Sequence, residues 1–151
     1  MLDDTDRRIL RHLQTDPGQP VAALADAVRV PQATVARRLD KLRDTGVLLG
    51  TEAIINWKAL GYAVEVSLRI TLDKTQSRAF DDFIVAARDV PEVIEIQTFL
   101  GRVDIRLSVI ARDMGHYQTL YRDQILTLPH IADIEALMQV ASVLDRRELP
   151  L

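Results

Sequence analysis

Five cationic side chains lie in or directly before the segment VPQATVARRLDKLRDTG, residues 30–46. Only two carboxylates, those of Asp40 and Asp44, share this stretch. Arginine and lysine on a helix bind phosphate oxygens, and small uncharged residues let the helix backbone approach the edges of bases. The combination is typical of a helix that enters the major groove of DNA.

The same segment predicts a helix whose apolar seam is Val35, Leu39 and Leu42. On the opposite side, the first half of the helix is small and uncharged as far as Arg37. We therefore expect base-edge contacts from Gln32, Ala33, Thr34 and Arg37. We expect phosphate contacts from Arg29, Arg38, Lys41 and Arg43. A solvated basic helix face is the alternative for a lone charged segment.

The elements around this helix favour the DNA-binding interpretation. A first helix is predicted after Asp3 or Asp4, with Ile9, Leu10 and Leu13 on one face. A second begins at Pro20 and places Val21, Leu24, Ala25 and Val28 at helical spacing. Three short one-sided helices can share a small core, and a short turn separates the second from the third. This is the helix-turn-helix pattern, and residues from Val47 onward suggest a small wing.

The remainder of the chain changes period. Residues 62–73 alternate cleanly, which predicts a strand with one solvated face. A helix over 76–88, with Phe80, Phe83, Ile84 and Ala87 inward, precedes strands at 92–100 and 103–111. A helix over 114–127 and a strand over 131–144 complete the order β-α-β-β-α-β. We expect an α+β chain with a winged helix-turn-helix domain at 1–50, a connecting strand at 51–61 and a ferredoxin-like domain at 62–151.

Composition excludes several classes of protein. The 151 residues carry a net charge of −3 and no cysteine, which excludes disulfides and thiolate sites. The acidic start MLDDTD is not a signal peptide, and no apolar run is long enough to cross a membrane. Residues 1–50 hold 8 Lys/Arg against 7 Asp/Glu, whereas the rest holds 11 against 15. We expect a cytoplasmic protein whose basic charge is local to the third helix.

No catalytic or metal-binding pattern stands out. His12, His116 and His130 lie far apart in sequence and lack the spacing of a metal site. The six glycines form no phosphate-binding loop and no nucleophile elbow. We therefore expect no metal, no cofactor and no enzyme activity.

The run LADAVRVPQATVARRLDKLRDTGVLLG resembles the helix-turn-helix and wing of the Lrp/AsnC family of transcription regulators. Asn56, the pair Leu60-Gly61, and Gly101 and Asp104 in the central hairpin fit the same family. The resemblance covers essentially the whole chain. It implies a sequence-specific DNA-binding regulator, modulated by an amino acid or related small molecule.

Several positions depart from the family pattern. Arg29 and Pro31 stand where members usually have Gly and Ser, and Trp57 stands where a proline is usual. The hairpin reads Gly-Arg-Val-Asp-Ile rather than Gly-Asp-Tyr-Asp-Tyr, and Ile134 and Ala136 replace a Thr-x-Thr. The resemblance therefore supports the DNA-binding function of the first domain more strongly than it supports the family's effector specificity.

The resemblance places an effector near the hairpin, and we expect Thr98, Gly101, Arg102 and Asp104 to contact it. Gly101 allows a tight turn and a close approach of backbone to ligand. Arg102 can pair with a ligand carboxylate, and Asp104 can accept hydrogen bonds from an ammonium. The alternative is a plain hairpin in which Asp104 pairs with Arg102 or Arg106.

The resemblance also implies self-association, as a dimer or an octamer, on a roughly palindromic operator. The sheet face carrying Ala63, Ser67 and Thr71 is the expected contact surface. Two other functions remain open. Siroheme decarboxylases share the two-domain plan, and His116, Tyr117 and Arg122 are faintly similar to their chemistry. A small-molecule sensor without DNA binding is the other, and the basic third helix disfavours it.

Overall fold

Three helices bury one face each in the first part of the chain. They are α1, Asp4–Thr15; α2, Val21–Val28; and α3, Gln32–Asp44. Asp3 begins α1 with a capping box, in which its carboxylate accepts from the Asp6 amide at 2.9 Å and the Asp6 carboxylate accepts from the Asp3 amide. The shared core of the three helices consists of Ile9, Leu10, Leu24, Ala25, Val28, Val35, Leu39 and Leu42.

A left-handed residue makes the turn between α2 and α3. Arg29 has φ 55°, and its amide donates to carbonyl oxygens at the end of α2. The Val30 amide donates to the Ala25 carbonyl at 3.1 Å, which ends the helix in the usual way. Glycine suits this conformation best, so an arginine here carries a backbone strain of about 1 kcal/mol. Pro31 then begins α3 without a side-chain cap.

The predicted wing and connecting strand are not present as strands. The amides of Val47 and Leu48 both donate to the Leu42 carbonyl at 2.9 Å, which closes the end of α3. Residues 51–56 have no regular structure, and a 3₁₀ helix, Trp57–Leu60, follows with Asn56 as its cap. No neighbouring strand offers hydrogen bonds to this segment, and an isolated pair of strands is only marginally stable.

All 151 residues are described by the computed structural model. They form two compact units, Met1–Ile54 with Leu144–Leu151, and Ile55–Val143. The sequence places residues 144–151 in the second domain, and this differs from the structure. These residues leave the last strand and contact the helices of the first unit instead.

The second unit is a four-stranded antiparallel sheet with helices on one face. Its strands are β1, Val64–Leu72; β2, Val93–Thr98; β3, Ile105–Ala111; and β4, Ile131–Met138. Its helices are α4, Ala79–Arg88, and α5, Met114–Leu120, which continues into a π-helical turn, Tyr121–Ile125. The strand order β2-β3-β1-β4 is that of the ferredoxin-like fold, as the sequence predicts.

The alternation of β1 sets the core of this unit. Val66, Leu68, Ile70 and Leu72 are buried against α4 and α5, and the other face of the sheet is left uncovered by the helices. The helix predicted from residue 76 begins only at Ala79, because the Asp73 carboxylate binds the Thr75 amide in a turn. Ala79, Phe83 and Ala87 are buried, and the prediction that Phe80 is buried is wrong, since it is 36% exposed.

Candidate DNA-binding surface and effector hairpin

The outer face of α3 presents the side chains that the sequence assigns to base contacts. Gln32, Ala33 and Arg37 are exposed and Thr34 is half-buried. Arg37 and Lys41, one helical turn apart, line a shallow cavity of about 230 Å³ together with Arg38 and Asp3. Arg37 and Lys41 take part in no ion pair, so both cations are available to an anionic partner.

Arg38 has a different partner from the one that the sequence predicts. Its Nη1 donates to Asp6 Oδ1 at 2.8 Å and to Asp3 Oδ2 at 2.6 Å. Asp6 is 1% exposed, so its carboxylate needs a compensating charge. The hydrogen bond to Asp3, reinforced by the one to Asp6, raises the pKa of the Arg38 guanidinium above its usual range. Arg38 therefore joins α3 to the start of α1 and is not a free phosphate contact.

The other two predicted phosphate contacts flank the exposed face. Arg43 makes an exposed ion pair with Asp40 at 3.3 Å, which costs little to exchange for a phosphate because both groups remain in water. Arg29 is exposed at the turn before α3. No side chain caps the start of α3, so its first amides can also donate to an anion.

The second candidate site is the connection between β2 and β3. The Phe99 amide donates to the Asp104 carbonyl at 2.9 Å, and the Thr71 hydroxyl donates to the Arg102 carbonyl at 3.0 Å. Gly101 has φ 151°, and open space surrounds the position of a Cβ there. Glycine is thus needed for the backbone conformation of this turn and not to make room.

Asp104 is not free to accept hydrogen bonds from a ligand. Its carboxylate is 3% exposed, accepts from the Leu72 amide at 2.9 Å and pairs with Lys74 at 2.9 Å. Burial would raise the pKa of this carboxyl, but the Leu72 amide and the Lys74 ammonium together lower it below its usual range. Asp104 therefore ties the hairpin to the end of β1, and neither Arg102 nor Arg106 is its partner.

A cavity beside the hairpin brings in residues that the sequence does not single out. Arg69, Phe99, Val103 and Arg106 line a space of about 260 Å³ on the uncovered sheet face. Arg106 is held by Ser67, Gln97 and Glu95, whereas Arg69 is exposed and in no ion pair. The alternation of β1 already placed Arg69 on this face, but only the strand register brings Arg106 opposite it.

The residues behind the decarboxylase alternative do not form a reactive group. His116 Nδ1 accepts from the Arg112 amide at 3.1 Å, and its Nε2 lies 3.5 Å from Glu92. Tyr117 is buried beside Tyr121, and burial raises the pKa of its hydroxyl. Arg122 pairs with Asp123 at 2.7 Å. The buried Tyr117 hydroxyl has no hydrogen-bond partner, and no hydrogen bond or ion pair joins His116, Tyr117 and Arg122 to one another.

Comparison with known proteins identifies both halves of the chain. The Lrp/AsnC ligand binding domain matches residues 65–149, and the AsnC-type helix-turn-helix domain matches residues 2–43. A proline dehydrogenase transcriptional activator of Rhodobacter capsulatus is 29% identical over 97% of this chain and 95% of its own length. DecR, a DNA-binding transcriptional activator of Escherichia coli K12, is 26% identical over 100% of this chain and 99% of its own.

Solved structures of regulators from the same family share the fold of this chain. The AsnC family regulator of Agrobacterium tumefaciens has a TM-score of 0.87 at 28% identity, over 99% of this chain and 97% of its own. Escherichia coli AsnC has a TM-score of 0.88 at 25% identity, over 97% of each chain. These relatives are regulators and lend no support to the decarboxylase alternative. No helix is long and apolar enough to cross a membrane.

Proposed function

We propose a mechanism from the premise that this chain belongs to the Lrp/AsnC family of transcriptional regulators and binds DNA through its helix-turn-helix domain. In this proposal α3 lies in the major groove, and Gln32, Ala33, Thr34 and Arg37 contact base edges. Arg29, Lys41 and Arg43 contact phosphates. The observation that carries the proposal is that Arg37 and Lys41 are exposed cations without ion-pair partners on one face of α3. A regulator of this kind works where the DNA is, in the cytoplasm.

We further propose that two copies bind together on a roughly palindromic operator. A helix-turn-helix dimer reads two half-sites about one helical turn, ~34 Å, apart. Nuclease protection of the DNA upstream of its own gene should therefore reveal two protected half-sites at that spacing. A single protected half-site would contradict dimeric binding while leaving DNA binding itself intact.

The uncovered sheet face is the proposed contact between copies, assembling a dimer or an octamer. Ser67 accepts from Arg106 at 2.8 Å and Thr71 donates to the hairpin backbone, so both hydroxyls are fixed within this face. Ser67→Arg should obstruct the face and shift the protein toward monomer in sedimentation velocity. Thr119→Arg, on the exposed side of α5, is the matched control. A wild type that sediments as a monomer at micromolar concentration would overturn this part.

The effector site is proposed in the cavity beside the hairpin, with an amino acid as the ligand class. Arg69 and Arg102 are exposed and unpaired, and either can bind a ligand carboxylate through two hydrogen bonds. Phe99 and Val103 offer apolar contact, and Thr98 and Gly101 lie at the rim of the turn. Asp104 contributes by holding the hairpin in place.

Calorimetric titration with the amino acids tests this site. Wild type should bind at least one of them, and Arg69→Ala or Arg102→Ala should bind it at least about tenfold more weakly, the loss of a charge-assisted hydrogen bond. Arg88→Ala, an exposed arginine at the end of α4, should bind as wild type does. If no amino acid binds wild type, the effector proposal falls and the DNA-binding function remains.

A further inference from the structure

The last residues of the chain make specific contacts with α1. The Gln14 side chain donates to the Leu149 carbonyl at 3.1 Å and accepts from the Leu149 amide at 2.6 Å. Arg11 Nε donates to the Leu151 carbonyl at 2.9 Å. Gln14 thus binds both backbone polar groups of Leu149, and Arg11, three residues earlier on the same helix face, binds the carbonyl of Leu151. This is how a protein recognises an extended peptide through its backbone.

Side chains add to this docking at two points. The Leu151 side chain packs against the core that α1, α2 and α3 share. Arg147 pairs with Glu52 at 2.7 Å, in the segment that follows α3. Residues 147–151, which we call the tail, are therefore held by polar contacts along their length and by one apolar side chain at their end.

The docking is nevertheless easy to release. A cavity of about 380 Å³ lies among α1, α2 and the residues around Arg147 and Glu148, so the tail is not closely packed onto the apolar surface below it. Leu149 remains 62% exposed. The polar contacts are exposed to water, where a hydrogen bond or ion pair contributes little net stability. Segments of this kind open at low free-energy cost.

α1 connects the tail to the recognition helix. The tail binds near the end of α1, at Arg11 and Gln14, while the start of α1 holds Arg38 of α3 through Asp3 and Asp6. A helix is a stiff rod, so a shift at one end of α1 moves the carboxylates at its other end. The Asp6 carboxylate is buried, and Arg38 must follow it or leave it unpaired.

We propose that the tail is a releasable latch: its docking on the Arg11–Gln14 face of α1 positions α3 for DNA, through α1 and the Asp6–Arg38 contact. This regulatory role depends on the proposed DNA-binding function of α3, whose affinity for DNA the docked tail would raise. The segment that docks on this face of α1 is the protein's own tail, residues 147–151. Gln14 and Arg11 are positioning residues and do not contact DNA.

The first test compares Gln14→Ala with Gln118→Ala, an exposed glutamine on α5 without side-chain bonds. Affinity for the operator is measured by fluorescence anisotropy across a salt series. Gln14→Ala should weaken binding about 3- to 10-fold, the range expected for a residue that acts through its neighbours. The dependence on salt should be unchanged, because no phosphate contact is lost. Gln118→Ala should bind as wild type does. Equal affinities for Gln14→Ala and wild type would overturn the latch.

The second test asks whether the effect passes through Arg38. If it does, the double variant Gln14→Ala/Arg38→Met should bind more tightly than the product of the two single losses predicts. If the losses of DNA affinity in the two single variants simply multiply in the double variant, the proposed route is overturned.

Hydrogen exchange at the Leu149 amide, which needs no DNA, tests the docking of the tail separately. That amide should be protected in wild type and exchange faster in Gln14→Ala, and fast exchange in wild type would show that the tail is undocked. If the wild-type protein protects the Leu149 amide but binds no DNA, the tail is docked and it is the proposed DNA-binding function of α3 that is wrong.

Discussion

The Arg38 guanidinium on α3 lies 2.8 Å from the carboxylate of Asp6 on α1, which is 1% exposed. Arg37, its immediate neighbour in sequence, is exposed and has no ion-pair partner. The two adjacent arginines thus have different roles: Arg38 pairs with a buried carboxylate within the fold, and Arg37 is available to a partner at the surface. Composition cannot distinguish them, because the difference depends on which face of α3 meets α1.

Replacing each arginine with alanine should separate these roles in unfolding experiments. Arg38→Ala leaves the Asp6 carboxylate buried without a counter-charge, so the free energy of unfolding should fall by about 3 kcal/mol. Arg37→Ala removes a solvated side chain and should change it by less than about 0.5 kcal/mol. Urea denaturation followed by circular dichroism measures both. Equal stability of the two variants would contradict the assignment of Arg38 to the fold.

Asp104 should make the second unit sensitive to acid. Its pKa is lowered in the folded state, so the stability it contributes is present above the unfolded value of about 3.9 and is lost as pH falls through the folded value. Asp104→Asn keeps an acceptor for the Leu72 amide but loses the Lys74 pair. The variant should be less stable than wild type at pH 6, and the difference should shrink toward pH 3. Thermal unfolding across this range measures it, and a constant difference would contradict the role given to the Asp104 charge.

Arg29 combines backbone strain with a proposed phosphate contact. Its φ of 55° favours glycine, so Arg29→Gly should be about 1 kcal/mol more stable than Arg29→Ala. Both variants lose the same cation, so both should bind DNA more weakly than wild type and by similar factors. Parallel unfolding and anisotropy measurements test the pair. Wild-type affinity in both variants would remove Arg29 from the binding surface.

Lys41 should contribute to affinity without contributing to specificity. Lys41→Ala should weaken binding to operator and unrelated DNA alike and make the slope of log K against log salt shallower by about one unit. Lys58→Ala, at an exposed lysine of the 3₁₀ helix that takes part in no ion pair, is the control for a lysine outside the proposed surface. An unchanged slope in Lys41→Ala would exclude a phosphate contact there.

Local periodicity is what the sequence reveals best. The seams of α1, α2 and α3 and the alternation of β1 follow from spacing alone, and their predicted inward residues are largely buried. The order of the elements then leads to the ferredoxin-like sheet. The exceptions are Val21 and Phe80, which are 37% and 36% exposed and lie in the first turns of α2 and α4.

Contacts between distant segments lie beyond such patterns. The partners of Arg38 and Asp104 depend on how helices cross and how strands align, which spacing does not encode. Asp3 and Asp6 lie three residues apart at the start of α1. This spacing is a sequence signal that the two carboxylates bind one basic residue of a neighbouring helix, which is Arg38 in the structure. The docking of residues 147–151 offered no comparable signal, since exposed Arg and Glu there resemble any solvated terminus.

The central claim is that Arg37 on α3 reads a base. Anisotropy with the operator, with single-base-pair variants of each half-site and with unrelated DNA, measured for wild type and Arg37→Ala, tests it most directly. Wild type should prefer the operator, and Arg37→Ala should lose about 1–3 kcal/mol of discrimination at one base pair while keeping its preferences elsewhere. An equal loss of affinity on every sequence would make Arg37 a phosphate contact and contradict the claim.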